Sequence, residues 1–270
     1  MEIHPTLLKD LTDKIYAAYR HDLENYNQQY FARCVKRTMQ DSGIKKFDSF
    51  LHSIITDDEL FKKLVENLSV KVTAMFRDPP VFRYMRENVI PMLATYPNIR
   101  IWSAGTASGE EAWSMAILLH EENLYDRSLI YATDFNPIVL EQAQQGAFPI
   151  DKMREYTSNY IAAGGKAAFS KYYRTNRYQA FIEPSLGKNI VFSTHNLITD
   201  GIFNEFHLIL CRNVLIYFNN DLITKVLNLF NSSLSDRCYL CLGTHESIRF
   251  QAGGRYFDGI CEKYHIFRKL

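Results

Sequence analysis

Ile99-Arg-Ile-Trp-Ser-Ala-Gly-Thr-Ala-Ser-Gly-Glu-Glu111 decides the fold, because an apolar run stops at a turn with glycines at 105 and 109 and a helix-forming run follows directly. Glycine at both ends lets the backbone turn sharply and approach a ligand with no Cβ in the way, while the helix start offers unpaired N–H groups. This glycine spacing matches neither G-x-G-x-x-G nor the phosphate-cradling G-x-x-x-x-G-K-[ST], so adenosine without phosphates fits it better. A second apolar run, Leu129 to Ala132, ends at Thr133 and Asp134. That places a carboxylate at the end of the second parallel strand of a doubly wound sheet, where such an acid binds ribose hydroxyls. A glycine turn is also ordinary connective structure in any α/β domain, and Glu111 in the first helical turn complements the helix macrodipole with or without a ligand. The combination of Gly105, Glu111 and Asp134 is what favours a cofactor.

Outward from this segment, short apolar runs alternate with helical ones, the signature of a mostly parallel sheet covered on both faces. Strands are expected at 99–104, 129–133, 189–194, 206–211 and 237–242, and helices at 110–121, 137–145, 151–163 and 219–234. Residues 247–268 read as two β-like pieces around Ala252-Gly-Gly254, suited to a terminal antiparallel hairpin. The aromatic, β-prone stretch Lys171 to Glu183 is too long for a plain helix-to-strand connection and reads as a small β insertion. Before Tyr96-Pro97 the chain reads as helices alone: Leu7 to Tyr19, Asn27 to Asp41 closed by Ser42-Gly43, and a helix ahead of which Thr56 to Glu59 has capping-box spacing. Asp78-Pro79 starts a further helix through about Met92, with Asp78 as its N-cap.

The chain has 270 residues, 47% of them hydrophobic and 14% aromatic, enough for one large core or a core plus a small satellite. Its formal net charge of +1 leaves no global field to draw it to nucleic acid or an anionic membrane, so a charged partner must be met by a local patch. No apolar run reaches the roughly 18 residues of a membrane span, and the start Met-Glu-Ile-His-Pro-Thr does not read as a signal peptide. A cytoplasmic protein is expected. Cys34, Cys211, Cys238, Cys241 and Cys261 are an odd, scattered set, which argues against a disulfide framework. Cys238-Tyr-Leu-Cys241 lies in a β-type run with no second pair nearby, so buried thiols are expected there rather than a metal.

Thr73-Ala-Met-Phe-Arg77-Asp78, Trp102 to Glu111, Ala132-Thr-Asp134, Asn196-Leu197 and Cys211-Arg-Asn-Val-Leu-Ile-Tyr-Phe218, with Ser42-Gly43-Ile44-x-x-Phe47 ahead of them, closely resemble the CheR family of chemotaxis-receptor glutamate methyltransferases. The resemblance covers nearly the whole chain. It implies a Rossmann-like methyltransferase sheet with an N-terminal all-helical subdomain for receptor recognition at 1–72. A linker and helix lining the cofactor site follow at 73–98, then the methyltransferase domain at 99–270 with a small β subdomain about 171–192. The implied cofactor is S-adenosylmethionine, and Thr73, Arg77, Gly105, Glu111, Asp134, Asn196, Leu197, Arg212 and Tyr217 would surround it. Asp134 would bind ribose and the Asn196-Leu197 pair would lie at the adenine. Arg77 and Tyr217 fall nearest the transferred methyl, as the residues that orient the incoming carboxylate. Lys71 stands where relatives commonly show asparagine, Thr244-His245-Glu246 where Ser-Glu is usual, and Ser235-Asp236 in place of a Pro-Gly turn.

The implied partners are glutamate-rich cytoplasmic helices of chemoreceptors, with neither nucleic acid nor membrane insertion expected. Arg33, Lys36 and Arg37 fall on one face of the second helix, where they could meet such helices or be only a solvated face. Whether the β insertion grips a tethering peptide at a receptor's C-terminus stays open. So do two other functions: a cofactor-binding scaffold without activity, and a methyltransferase for another protein, RNA or a small molecule. Against an amide or amino substrate, Arg212-Asn-Val-Leu-Ile-Tyr217 stands where such enzymes often carry an Asn/Asp-Pro-Pro-Tyr loop.

Overall fold

β1 (Ile99–Ala104) forms a central strand, paired in parallel with β2 (Ser128–Asp134) on one side and β7 (Phe206–Cys211) on the other. In the computed structural model, which describes residues 3–68 and 73–270, the seven-stranded sheet has the order β6-β2-β1-β7-β8-β10-β9. β6 (Ile190–Thr194) and β8 (Leu234–Leu242) continue the parallel pairing, while β9 (Phe257–Cys261) and β10 (Ile266–Lys269) close the far edge antiparallel. Chain order reverses at β1, so the crevice beyond the carboxyl ends of β1 and β7 is where an open α/β sheet binds its ligand.

Side chains alternate across this sheet and split the core in two. Ile101, Leu208 and Leu210 pack on one face with α7 (Glu110–Glu121), whereas Trp102, Ile209 and Cys211 pack on the other with α10 (Asn220–Ser233). α7 is apolar nearly all round, from Ala112 to Leu119, as a helix buried on every side must be. The N-terminal helices α1 (Pro5–Tyr19), α2 (Gln28–Asp41), α3 (Phe47–Ser53) and α4 (Asp58–Leu68) share the core on the α10 side. They are tied down beside the sheet. Asn27 N donates to Tyr217 O at 2.8 Å, Asn219 N donates to Asn25 O at 3.0 Å, and Tyr26 and Phe218 form a β-bridge.

Several local expectations are revised. The cap of α4 is Asp57, whose Oδ1 accepts from the backbone N–H of Glu59 and Leu60 at 3.0 and 3.1 Å, and not Thr56. The helix expected from Pro79 to Met92 is α5 (Pro79–Tyr84), a π-helical turn (Met85–Val89) and α6 (Ile90–Leu93). Pro91 has no N–H to continue the ladder, and the wider turn before it takes up the irregularity. The terminal hairpin turns at Glu262–Tyr264 rather than at Ala252-Gly-Gly254. Gly253 lies against α10, where a Cβ would meet Leu227 Cβ at 2.6 Å. β8 begins at Leu234, directly after α10, and Arg237 takes a left-handed φ of 62° where the β7 pairing shifts register. The small sheet, β3 (Ala147–Pro149), β5 (Gln179–Ile182) and β4 (Tyr173–Thr175) in that order, reaches back to recruit β3 from between α8 (Pro137–Gln145) and α9 (Met153–Ala162). Lys71 lies outside the described residues.

Candidate functional site

The glycine turn after β1 is held open by hydrogen bonds to β2. Gly105 N and Thr106 N both donate to Thr133 O, at 2.8 and 2.9 Å. Gly105 has φ 75°, and a Cβ there would meet Val214 Cγ2 at 2.6 Å, so both conformation and space demand glycine. Asp134, at the end of β2, is buried, with Oδ2 accepting from Ala107 N at 3.0 Å and Oδ1 from Asn136 N at 3.1 Å. Burial pushes its carboxyl up, and these N–H groups pull it back. The turn and the acid are thus one unit, with the carboxylate fixed at the mouth of the crevice.

A second unit forms around Arg212, whose side chain is 2% exposed. Nη2 donates to Asp78 Oδ2 at 2.7 Å and to Arg77 O at 3.0 Å, while Nη1 faces Glu111 Oε2 at 3.4 Å. Glu111 Oε1 also accepts from Ser103 Oγ at 2.8 Å. Arg212 therefore ties the end of β7 to the start of α7 and to the segment before α5. Asp78 sits at the N-cap position expected of it, yet its side chain makes no cap and serves Arg212. Phe76 and Asp78, on either side of Arg77, both have left-handed φ, 51° and 55°, a conformation costly for residues with a Cβ. Ser114 Oγ accepting from Phe76 N at 2.9 Å and the Arg212 clamp over-determine that backbone.

The third unit is the loop after β7. Glu246, 4% exposed, accepts backbone N–H bonds from Val214 at 2.8 Å and Leu215 at 2.7 Å on Oε1, with Ile216 at 3.4 Å. Its Oε2 accepts from Asn213 N at 3.0 Å and from Gly243 N. One buried carboxylate thereby organises the turn that carries Tyr217. Burial raises the Glu246 carboxyl and the convergent N–H groups oppose the shift. Tyr217 is half-buried. Burial raises its hydroxyl, and the neighbouring Arg77 guanidinium pulls it down.

These units line one cleft, open to solvent and faced by apolar and polar side chains together, the lining expected of a small-molecule site. Thr73, Arg77, Gly105, Glu111, Asp134, Asn196, Leu197, Arg212 and Tyr217 all line it. The Asn196 side chain also accepts from Ile198 N at 2.9 Å, closing its own turn. Arg33 and Arg37 are exposed on α2 and Lys36 is partly so, outside the cleft lining. Sequence reasoning missed Glu246, which stood there only as part of a motif departure, and Tyr26, which reaches the cleft from the N-terminal helices. An acid placed just after the apolar run that ends at Leu242 was the one available signal for Glu246. Among the described residues no cluster of His, Cys, Asp or Glu is arranged to hold a metal ion. Cys238 and Cys241, three apart on a strand, point into opposite halves of the core. Among the described residues no helix is long and apolar enough to cross a membrane.

A family described as "CheR methyltransferase, SAM binding domain" matches residues 71–258, and one described as "CheR methyltransferase, all-alpha domain" matches residues 7–69. The "Putative methyltransferase Cher3" of Pseudomonas putida is 41% identical over 96% of this chain and 95% of its own length. The "Chemotaxis protein methyltransferase" of Borreliella burgdorferi is 30% identical over 77% of this chain and 76% of its own. The protein of the same name from Listeria innocua is 30% identical over 84% of both.

Proposed function

This chain belongs to the CheR methyltransferase family, and we propose that it methylates side-chain carboxylates of glutamates on the cytoplasmic helices of chemoreceptors. S-adenosylmethionine is the methyl donor of the family's matched domain. The observation that carries the reading is the meeting of Arg77 and Tyr217 in the same cleft as Asp134, Glu111 and the glycine turn. Relatives named as chemotaxis protein methyltransferases support a substrate within chemotaxis, and the receptor is our reading of it. In this reading residues 1–72 recognise the receptor, 73–98 line the cofactor site, and 99–270 carry the transfer.

The cleft's chemistry fits this donor. Arg77 and Arg212 are the only Lys or Arg side chains among the described residues lining it, and Arg212 is engaged by two carboxylates, as suits a nucleoside without phosphates. Phe135, Val139 and Leu197 give an apolar wall for the base, with Asp134 beside them for the ribose hydroxyls. When bound, the donor supplies a methyl group on a sulfonium, so that displacement by a carboxylate oxygen leaves a thioether and a methyl ester. A glutamate is already anionic at neutral pH, so the protein needs no general base. Its work is alignment and exclusion of water. Arg77 holds the incoming carboxylate by charge, and Tyr217 limits its approach and shields the reacting atoms.

Asp134→Ala is expected to weaken binding of S-adenosylmethionine by about 1.5–3 kcal/mol, since the ribose hydroxyls lose a charged acceptor at a buried site. Calorimetry checks this, and parent-like binding would reduce Asp134 to an internal cap for Ala107 and Asn136.

Receptor recognition falls to the face carrying Arg33, Lys36 and Arg37, because a near-neutral protein must find acidic helices through a local patch. Reversing Arg33 and Lys36 to glutamate is expected to raise KM for a receptor cytoplasmic fragment and flatten its salt dependence, with donor binding unchanged. Methylation indifferent to both the reversal and ionic strength would leave these residues a solvated face. The small sheet offers an open edge at β4 to which a receptor's C-terminal peptide could add a strand.

A further inference from the structure

We propose that Tyr30 is a positioning residue for Tyr217, connecting the outer face of α2 to the methyl-transfer end of the cleft. The proposal rests on the reading that Tyr217 faces the reacting carboxylate. The Tyr30 and Tyr217 ring centroids lie 4.3 Å apart with the planes inclined at 37°. Tyr30 is itself fixed at three points. Its hydroxyl donates to Leu68 O at 2.7 Å, its ring lies near that of Tyr26 at 6.5 Å, and its backbone N–H donates to the Asn27 side chain at 3.1 Å. Leu68 and Tyr26 both line the cleft, so Tyr30 joins the end of α4, the start of α2 and the Tyr217 loop around one ring.

Below its backbone, Tyr217 is well held: Asn27 N donates to its carbonyl, and Glu246 fixes the turn that precedes it. The side chain has a different restraint. The Tyr30 ring is a large rigid surface packed against the Tyr217 ring, and close aromatic pairs are attractive beyond their buried area. On the outward side, the Arg33 guanidinium lies 6.0 Å from the Tyr30 ring centroid, within cation–π reach. The basic face proposed to meet the receptor therefore touches the ring that sets Tyr217. An acidic helix drawing Arg33 outward acts on Tyr30 first and, through the stack, on the reaction centre.

The test measures kcat and KM for methylation of a chemoreceptor cytoplasmic fragment, and donor Kd by calorimetry, using the full chain and its Tyr30→Phe, Tyr30→Ala, Tyr217→Ala and double Tyr30→Ala/Tyr217→Ala variants. Tyr30→Phe keeps the ring and is expected to stay within about twofold of the parent in kcat, while Tyr30→Ala loses about 5–10-fold with donor Kd unchanged. In the Tyr217→Ala background the second substitution is expected to cost nothing further, because a positioning residue acts only through what it positions. If Tyr30→Ala does not fold, Tyr30→Leu replaces it, filling the volume without a ring, with the same expectations. Equal losses in Phe and Ala variants, additive losses in the double variant, or parent-like turnover for Tyr30→Ala would each overturn the proposal. Parent-like turnover of Tyr217→Ala alone would instead overturn the assignment of Tyr217 to the reaction centre.

Discussion

Replacing Glu246 with alanine is expected to destabilise the protein by about 3–4 kcal/mol and to lower Tm by roughly 6–8 °C. The change strips the acceptor from the backbone N–H groups of Asn213, Val214, Leu215, Ile216 and Gly243. Each buried donor left unsatisfied costs about 1–3 kcal/mol, offset in part where water enters the space vacated by the side chain. Glu246→Gln is expected to fall between the two: its amide oxygen can still serve Val214 and Leu215, but its NH₂ would then face the N–H groups of Asn213 and Gly243. Glu262, another acid on the same side of the chain's end, pairs with Arg249 in a contact whose side chains are 69% and 65% exposed. Glu262→Ala is therefore expected to change stability by less than about 0.5 kcal/mol. Chemical and thermal unfolding distinguish the two acids. A Glu246→Ala protein as stable as the parent would mean that the loop finds its shape without the carboxylate.

Arg77→Ala is expected to lower turnover about 100-fold while changing the donor's Kd less than about threefold. The argument is geometric. Left-handed residues on both sides of Arg77, and the clamp from Arg212 onto its carbonyl, fix the point from which the side chain departs toward Tyr217. A structure that holds backbone in so unfavourable a conformation over-determines it from several directions. Removing the guanidinium leaves the backbone and the donor pocket intact but deprives the incoming carboxylate of its charged guide. Single-turnover kinetics with donor titration separate the effects. Losses of equal size in donor affinity and turnover would move Arg77 from the reacting carboxylate to the wall of the donor site.

What could be read from the sequence was what local chemistry determines. The glycine turn at 105–109, Asp134 at a strand end and the apolar run Leu208 to Cys211 of β7 each follow from neighbouring residues, and each lies where it was expected. Segments governed by distant partners were not legible. Asp78 looks like a helix cap, and only the arrival of Arg212, far along the chain, diverts its side chain. Ala147-Phe-Pro149 is too short to announce a strand and becomes one because Gln179–Ile182 pairs with it. Thr56 has the capping-box spacing, yet in the folded chain it is Asp57 whose carboxylate reaches the first free N–H groups of α4. Glu246 is the fullest example. Apart from Gly243 N, three residues back, its partners are backbone N–H groups of a loop some thirty residues earlier, and backbone N–H groups leave no mark on sequence. Beyond Gly105, Glu111 and Asp134, the site residues were gathered by resemblance to a family, and the structure supplies what resemblance could not: Arg212 is engaged with carboxylates, and Tyr26 and Tyr30 bring the N-terminal helices to the edge of the cleft.

The most direct test of the account is the chemical nature of the transferred methyl group. The purified chain is incubated with methyl-labelled S-adenosylmethionine and a chemoreceptor cytoplasmic fragment, and the labelled receptor is treated with mild base and mapped by peptide mass spectrometry. The account predicts label on glutamate side chains, released as methanol by base as a carboxyl ester must be, and label greatly reduced with Arg77→Ala. Label stable to base, or label found on a nitrogen, on nucleic acid or on a small molecule while receptor glutamates stay unmodified, would contradict it.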